Sequence, residues 1–111
     1  MKYKIGIVGM GVVGNAVFQG MKKLSHKVSY HDIKMKTSID DVIKTDICFI
    51  CVPTPSLDSG SCDTSIVESV CRDLIEKKYS GLICVKSTVP PGTVDKIISR
   101  YNFESICFVP E

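Results

Sequence analysis

Five groups of residues are suited to binding a ligand rather than to packing in a core. Glycine backbone amides can approach a phosphate closely, and a carboxylate can bind sugar hydroxyls. Hydroxyl and carboxyl side chains can also orient and deprotonate a water molecule. The groups are Gly9-Met10-Gly11-Val12-Val13-Gly14, Asp32, residues 52–55, Ser87-Thr88 and Pro110-Glu111.

The first group has the spacing G-x-G-x-x-G, which is informative only between a strand and a helix. An apolar stretch at residues 4–8 precedes it. A helical apolar pattern follows at Val13, Ala16, Val17, Met21 and Leu24. In this context Gly9 makes the tight turn, Gly11 lets a pyrophosphate approach, and Gly14 lets helix and strand pack closely. The pyrophosphate would bind at the start of the helix, at Val12 and Val13.

Asp32 ends a second predicted strand, about 20 residues after the glycine turn, where a carboxylate bonds the ribose hydroxyls of NAD. The same carboxylate would repel the 2′-phosphate of NADP. Lys34 and Lys36 lie nearby and would weaken that repulsion. We therefore predict NAD as the cofactor.

The elements that must position these groups alternate along the chain. Apolar stretches predict strands at 4–8, 27–31, 47–52, 82–85 and 106–109, with helical patterns between them. This predicts an α/β fold, a Rossmann-type doubly wound parallel sheet of order 2-1-4-5-6, with strand 3 reduced to a stub near Lys36-Thr37. The carboxyl ends of parallel strands share one edge, where the five groups should meet.

Length and composition set the remaining bounds. The 111 residues predict a single domain, 1–111, and a net charge of +2 gives no sign of a nucleic-acid partner. No apolar run reaches the roughly 18 residues of a membrane span, and no leader cleavage site is recognisable, so we expect a cytoplasmic protein.

The six cysteines predict neither a disulfide framework nor a metal site. Cys48 and Cys51 form a C-x-x-C, but three residues apart on a strand they face opposite sides. We expect six reduced thiols and no metal.

Two further segments carry a family resemblance. They are Cys51-Val52-Pro53-Thr54-Pro55 and Lys86-Ser87-Thr88-Val89-Pro90-Pro91-Gly92-Thr93. With the glycine turn and Pro110-Glu111, they resemble the N-terminal NAD-binding domain of the UDP-glucose/GDP-mannose dehydrogenase family. Such enzymes oxidise the C6 alcohol of a nucleotide sugar to a carboxylate, reduce two NAD, and hydrolyse a cysteine-bound thioester.

The resemblance implies a role for each matching residue. The segment of Val52, Pro53 and Thr54 would lie along the adenosine side of the cofactor. Ser87 would contact the cofactor. Thr88 would position the catalytic water, and Glu111 would act as the base in thioester hydrolysis.

Other features of the family have no counterpart here. None of the six cysteines matches the family's nucleophile, and most contacts to the nucleotide-sugar substrate would lie outside this chain. We therefore expect the isolated chain to be inactive, and we leave pairing of two copies through exposed apolar surface open.

Two alternatives stay open. The chain could be a stand-alone, non-catalytic module that binds NAD or another chain. It could also belong to another dehydrogenase type with this fold, such as the 6-phosphogluconate or hydroxyisobutyrate type, although these lack the Ser-Thr-Val-Pro-Pro-Gly segment.

Overall fold

The alternating apolar patterns fold into one parallel sheet with helices on both sides. The computed structural model describes residues 2–60 and 62–109. In chain order the elements are β1 (Lys4–Val8), α1 (Val12–Lys23), β2 (Lys27–His31), α2 (Asp40–Ile43), β3 (Ile47–Ile50), α3 (Ser65–Glu76), β4 (Leu82–Val85), α4 (Thr93–Tyr101) and β5 (Ile106–Phe108). The sheet has the order β2-β1-β3-β4-β5, and all neighbouring strands are parallel.

This order confirms the predicted doubly wound topology, in which β3, β4 and β5 are the strands numbered 4, 5 and 6 above. The predicted stub of strand 3 near Lys36-Thr37 is wrong, because residues 32–39 form turns and bends rather than a strand. The Thr37 hydroxyl accepts a hydrogen bond from the backbone N–H of Asp32 at 3.0 Å. It also lies 2.9 Å from Nδ1 of His31. The segment is therefore folded back onto the end of β2 and cannot extend beside it.

One face of the sheet carries the main core. Side chains alternate between the two faces along each strand. On this face, strand residues such as Ile50, Ile83 and Val85 pack with buried residues of the helices, including Leu74 and Ile97. The helices α2, α3 and α4 supply the partners that bury these residues.

The opposite face is covered less completely. Helix α1 contacts β1 and β2 there, and the Phe18 ring packs edge-on against Tyr30 with a centroid distance of 5.8 Å. On β3 and β4 the same face carries Phe49, which is half-buried, and Leu82, which is 37% exposed. This part of the sheet presents apolar surface.

Because α1 covers the sheet only in part, the apolar face predicted for this helix is less buried than expected. Ala16 and Leu24 are exposed, while Val13, Val17 and Met21 are only half-buried. The buried residue of the helix is Gly14. Gly14 lies against Gly9 and Ile7 at this first turn, and the helix mainly contacts β1 and β2. Leu24 lies just past the helix end.

Candidate functional site

A cleft of about 1240 Å³ opens at the carboxyl edge of the sheet. Residues that follow β1, β2, β3 and β4 line it, together with the first turns of α1 and α3. The structure brings together there all but one of the predicted site residues that it describes: Gly9, Gly11, Val12, Val13, Asp32, Val52, Pro53, Thr54, Ser87 and Thr88. Gly14 does not line the cleft; it packs behind the turn that forms its wall.

The three glycines of the turn have different roles. Gly9 has φ +96°, and a Cβ there would lie 2.6 Å from the carbonyl oxygen of Cys51. A Cβ at Gly14 would overlap the carbonyl oxygen of Gly9. These two glycines are therefore required by the protein's own backbone packing.

Gly11 differs from both. A Cβ at this position would meet no atom of the protein within 4 Å, and its φ of −77° is accessible to any residue. Protein packing therefore does not explain a glycine here. The space beside its backbone suits a ligand that approaches more closely than a side chain would allow, so the turn fits the pyrophosphate of a dinucleotide.

The start of α1 adds the electrostatic part of the site. The residue before the helix, Gly11, supplies no side-chain cap, and the first turn contains no acidic residue. The early N–H groups of a helix have no partner within it and carry partial positive charge, which favours an anion. The Asn15 amide donates to the carbonyl oxygen of Met10 at 2.8 Å and steadies the turn from the other side.

Asp32 is held by backbone amides at both carboxylate oxygens. Oδ2 accepts from the N–H of Met10 at 2.7 Å, and Oδ1 accepts from the N–H of Lys34 at 2.9 Å. Hydrogen bonds from Lys34 and then Met10 lower the pKa of Asp32 below its ordinary value. The side chain is thus ionised at neutral pH. Each oxygen can accept a second hydrogen bond, so ribose hydroxyls can still bind.

The β3–β4 side of the cleft depends on Ser87. This residue is 6% exposed, and its hydroxyl donates to the carbonyl oxygen of Val52 at 2.7 Å. Its backbone N–H donates to the carbonyl oxygen of Ile50 at 3.1 Å. Ser87 therefore fixes the chain that leaves β3, and its hydroxyl proton is already in use within the protein.

Thr88 is exposed at the same edge. Its carbonyl oxygen accepts a weak hydrogen bond from the Cys62 thiol at 3.5 Å. The same thiol lies 3.4 Å from the carbonyl oxygen of Thr54. Sequence reasoning did not anticipate this contact, because Cys62 lies in a polar loop without a recognisable pattern. Glu111 and Pro110 lie outside the described residues, so the role of Glu111 as a base stays a prediction.

The cleft also contains residues that the motifs did not single out. Ile33 follows Asp32 and is 92% exposed. From α3 come Ser65, Ile66 and Ser69. Ile33 could have been recognised from the sequence, because it is an isolated apolar residue in a charged turn. The α3 residues have no comparable feature.

Residues 2–60 and 62–109 also show what the structure contains in metal-ligand clusters and long apolar helices. These residues contain no group of three or more His, Cys, Asp or Glu side chains that could hold a metal ion. None of the helices described is both long enough and apolar enough to cross a membrane.

The strand, glycine turn and helix, with a carboxylate at the end of the next strand, define a dinucleotide-binding Rossmann domain. A family model described as "UDP-glucose/GDP-mannose dehydrogenase family, NAD binding domain" matches residues 32–105. The chain belongs to this family, and its cofactor is NAD. Because the match begins at residue 32, the glycine turn supports the cofactor independently.

Individual relatives agree with this assignment. The GDP-mannose 6-dehydrogenase of Pseudomonas aeruginosa is 41% identical over 61 residues, 51% of this chain and 14% of that protein. The UDP-glucose 6-dehydrogenase of Haloferax volcanii is 32% identical over 83 residues, 71% of this chain and 19% of that protein. The chain thus spans less than a fifth of the length of these curated relatives.

Solved structures show the same fold. A UDP-glucose dehydrogenase from Pyrobaculum islandicum superimposes with a TM-score of 0.87 at 24% identity. The superposition covers 100% of this chain and 36% of that one.

Proposed function

We propose that this chain is the NAD-binding part of a nucleotide-sugar 6-dehydrogenase similar to UDP-glucose 6-dehydrogenase. Such an enzyme oxidises the C6 alcohol of the sugar to a carboxylate and reduces two NAD. The observation that carries the proposal is the geometry of the glycine turn. Two of its glycines are required by packing, whereas Gly11 lines the cleft and a Cβ there would meet no protein atom, which leaves its backbone open to a ligand.

The residues of the cleft then have distinct binding roles. The free N–H groups at the start of α1 hold the pyrophosphate, and Asp32 accepts hydrogen bonds from the ribose. The segment of Val52, Pro53 and Thr54 lies along the adenosine side, in the position that Ser87 maintains. When bound, NAD supplies a hydride acceptor for the oxidation of the sugar.

The proposed catalytic roles belong to Thr88 and Glu111. The exposed position of Thr88 in the cleft leaves it accessible to a water molecule, which its hydroxyl would orient. Glu111 would remove a proton from that water during thioester hydrolysis. Because none of the six cysteines corresponds to the family's nucleophile, we expect the chain alone to bind NAD without turnover.

Calorimetric titration with NAD tests the binding role. Gly11→Ala should fold normally, yet its methyl group would occupy the space beside the turn and weaken NAD binding about tenfold or more, or at least about 1.4 kcal/mol. Gly20→Ala is the matched control. It lies in α1, the helix that follows Gly11, and its methyl group would also meet no atom within 4 Å.

Two results would contradict the proposal. One is the absence of binding heat for the unmodified chain at millimolar NAD; the other is equal affinity in Gly11→Ala and Gly20→Ala. A separate assay would follow NADH absorbance with UDP-glucose or GDP-mannose as substrate. Turnover by the 111-residue chain would show that the catalytic residues are assigned wrongly.

The proposal extends to the cellular location and the partners of the protein. We expect a cytoplasmic protein without a nucleic-acid partner, since the net charge is only +2. Leu82 and Val109 are each 37% exposed and offer apolar surface through which two copies would pair. Light scattering that detects only monomer at high concentration would contradict the pairing.

A further inference from the structure

Two cysteines lie side by side on neighbouring strands, away from the cofactor cleft. Cys84 of β4 and Cys107 of β5 are direct partners in the parallel register. Their Sγ atoms are 3.5 Å apart. Neither residue belongs to the main core or lines the cleft. They lie on the sheet face that α1 covers only in part.

We propose that Cys84 and Cys107 form a reversible disulfide between β4 and β5 when a peroxide oxidises the protein. Neighbouring strands are about 4.8 Å apart, and a disulfide tolerates Cα separations of about 4.4 to 6.8 Å. The sulfur atoms must approach by about 1.5 Å to reach bonding distance. Within the part of the chain that the structure describes, β5 lies at the edge of the sheet and pairs only with β4, so it can adjust.

Access distinguishes Cys107 from the cysteines of the main core, while Cys84 beside it is buried. Cys107 is half-buried, and Leu82 and Val109 on the same face are both partly exposed to solvent. In contrast, Cys48 and Cys71 are fully buried among the helices. Peroxide can therefore reach Cys107 from the sheet face that α1 covers only in part.

The reaction balances with peroxide as the oxidant. The Cys107 sulfur attacks one peroxide oxygen, the O–O bond breaks, and a sulfenic acid and one water molecule form. The Cys84 sulfur then attacks the sulfenic sulfur, forming the S–S bond and releasing a second water with the Cys84 proton. Burial raises the pKa of Cys84 to about 12, which makes the more exposed Cys107 the first to react. A small thiol reverses the reaction by exchange.

Peptide mapping tests the bond directly. The chain is treated with hydrogen peroxide, its remaining thiols are alkylated, and it is digested with trypsin. Cleavage after Lys78 and Lys86 releases a peptide in which Cys84 is the only cysteine. Cleavage after Arg100 releases a peptide in which Cys107 is the only cysteine. We expect these two peptides to be joined, two hydrogen atoms lighter than their sum, and separated by dithiothreitol.

Three variants make the result specific. Cys107→Ser and Cys84→Ser should each abolish the joined peptide, whereas Cys62→Ser should retain it. Cys107 is the safer substitution because it is half-buried, and thermal unfolding would verify that each variant folds. The proposal is overturned if the two peptides stay separate after oxidation, or if either cysteine is joined to a different one.

Discussion

The two sides of the cleft are built differently. On the β1–β2 side, the glycine turn and Asp32 are fixed by backbone atoms: Gly14 packs on the carbonyl of Gly9, and two amides hold the carboxylate. On the β3–β4 side, one serine hydroxyl ties together two strand ends, and Thr88 beyond it is exposed. Backbone groups, which cannot rotate as a side chain can, hold much of the nucleotide side, and we call it the rigid side. The proposed catalytic side depends on a single side-chain hydroxyl.

The largest effect should come from adding a methyl group to the rigid side. Gly14→Ala places a Cβ on the carbonyl oxygen of Gly9. Because backbone must move to relieve the overlap, we expect the free energy of unfolding to fall by about 3 kcal/mol or more. Urea denaturation followed by circular dichroism measures this change.

Gly20→Ala is again the control, because an added methyl group there has no neighbours. Alanine is the better helix former, so this variant should be about 0.5 to 1 kcal/mol more stable. A Gly14→Ala protein as stable as Gly20→Ala would show that the turn is not rigid.

The next effect concerns the charge of Asp32. Asp32→Asn removes the negative charge that accepts the ribose hydrogen bonds, so NAD affinity should fall by about 1 to 3 kcal/mol. Calorimetry measures this loss. Asp95→Asn, which changes an exposed carboxylate on α4 outside the cleft, should bind NAD as the unmodified chain does. Unchanged affinity in Asp32→Asn would remove this residue from the cofactor site.

A smaller effect tests the β3–β4 side. Ser87→Ala leaves the carbonyl oxygen of Val52 without its hydroxyl donor, and we expect the free energy of unfolding to fall by about 1 kcal/mol. Ser80→Ala, at an exposed loop position, should stay within about 0.5 kcal/mol of the unmodified chain. Equal stability of the two variants would mean that the hydroxyl does not tie the strand ends together.

The smallest effect is a dependence on pH. Because the pKa of Asp32 is lower in the folded protein, its ionised form adds stability above the ordinary aspartate pKa. That contribution disappears as the pH falls below about 4 and through the folded-state pKa. The stability difference between the unmodified chain and Asp32→Asn should therefore shrink as the pH falls from about 5 through the ordinary aspartate pKa of about 4 and below it. A difference that is constant over this range would contradict the assignment.

The sequence patterns predicted the parts of the fold that depend on local spacing. The strands at 27–31 and 82–85 have the predicted bounds, and the parallel topology correctly gathered the strand ends at one edge. The stub near Lys36-Thr37 failed because Thr37 bonds to the end of β2. The apolar face of α1 was overestimated because spacing alone does not show how many strands a helix covers.

Within the site, residue types could be predicted but hydrogen-bond partners could not. Ser87 was expected at the cofactor, yet its hydroxyl donates to Val52, a residue far away in the sequence. Likewise, the amide that Met10 directs at Asp32 depends on how the turn and the end of β2 meet. Such contacts are products of register and packing, which single-sequence periodicity does not contain.

The two amides on Asp32 also affect how tightly a ligand can bind. Since Met10 and Lys34 hold the carboxylate in place within the folded protein, little side-chain entropy is left to lose when a ribose arrives. The same bond to Met10 connects the carboxylate to the glycine turn. The carboxylate that binds the ribose and the turn that binds the pyrophosphate are therefore already positioned relative to each other when the protein folds. A dinucleotide binds to two preorganised contacts at once.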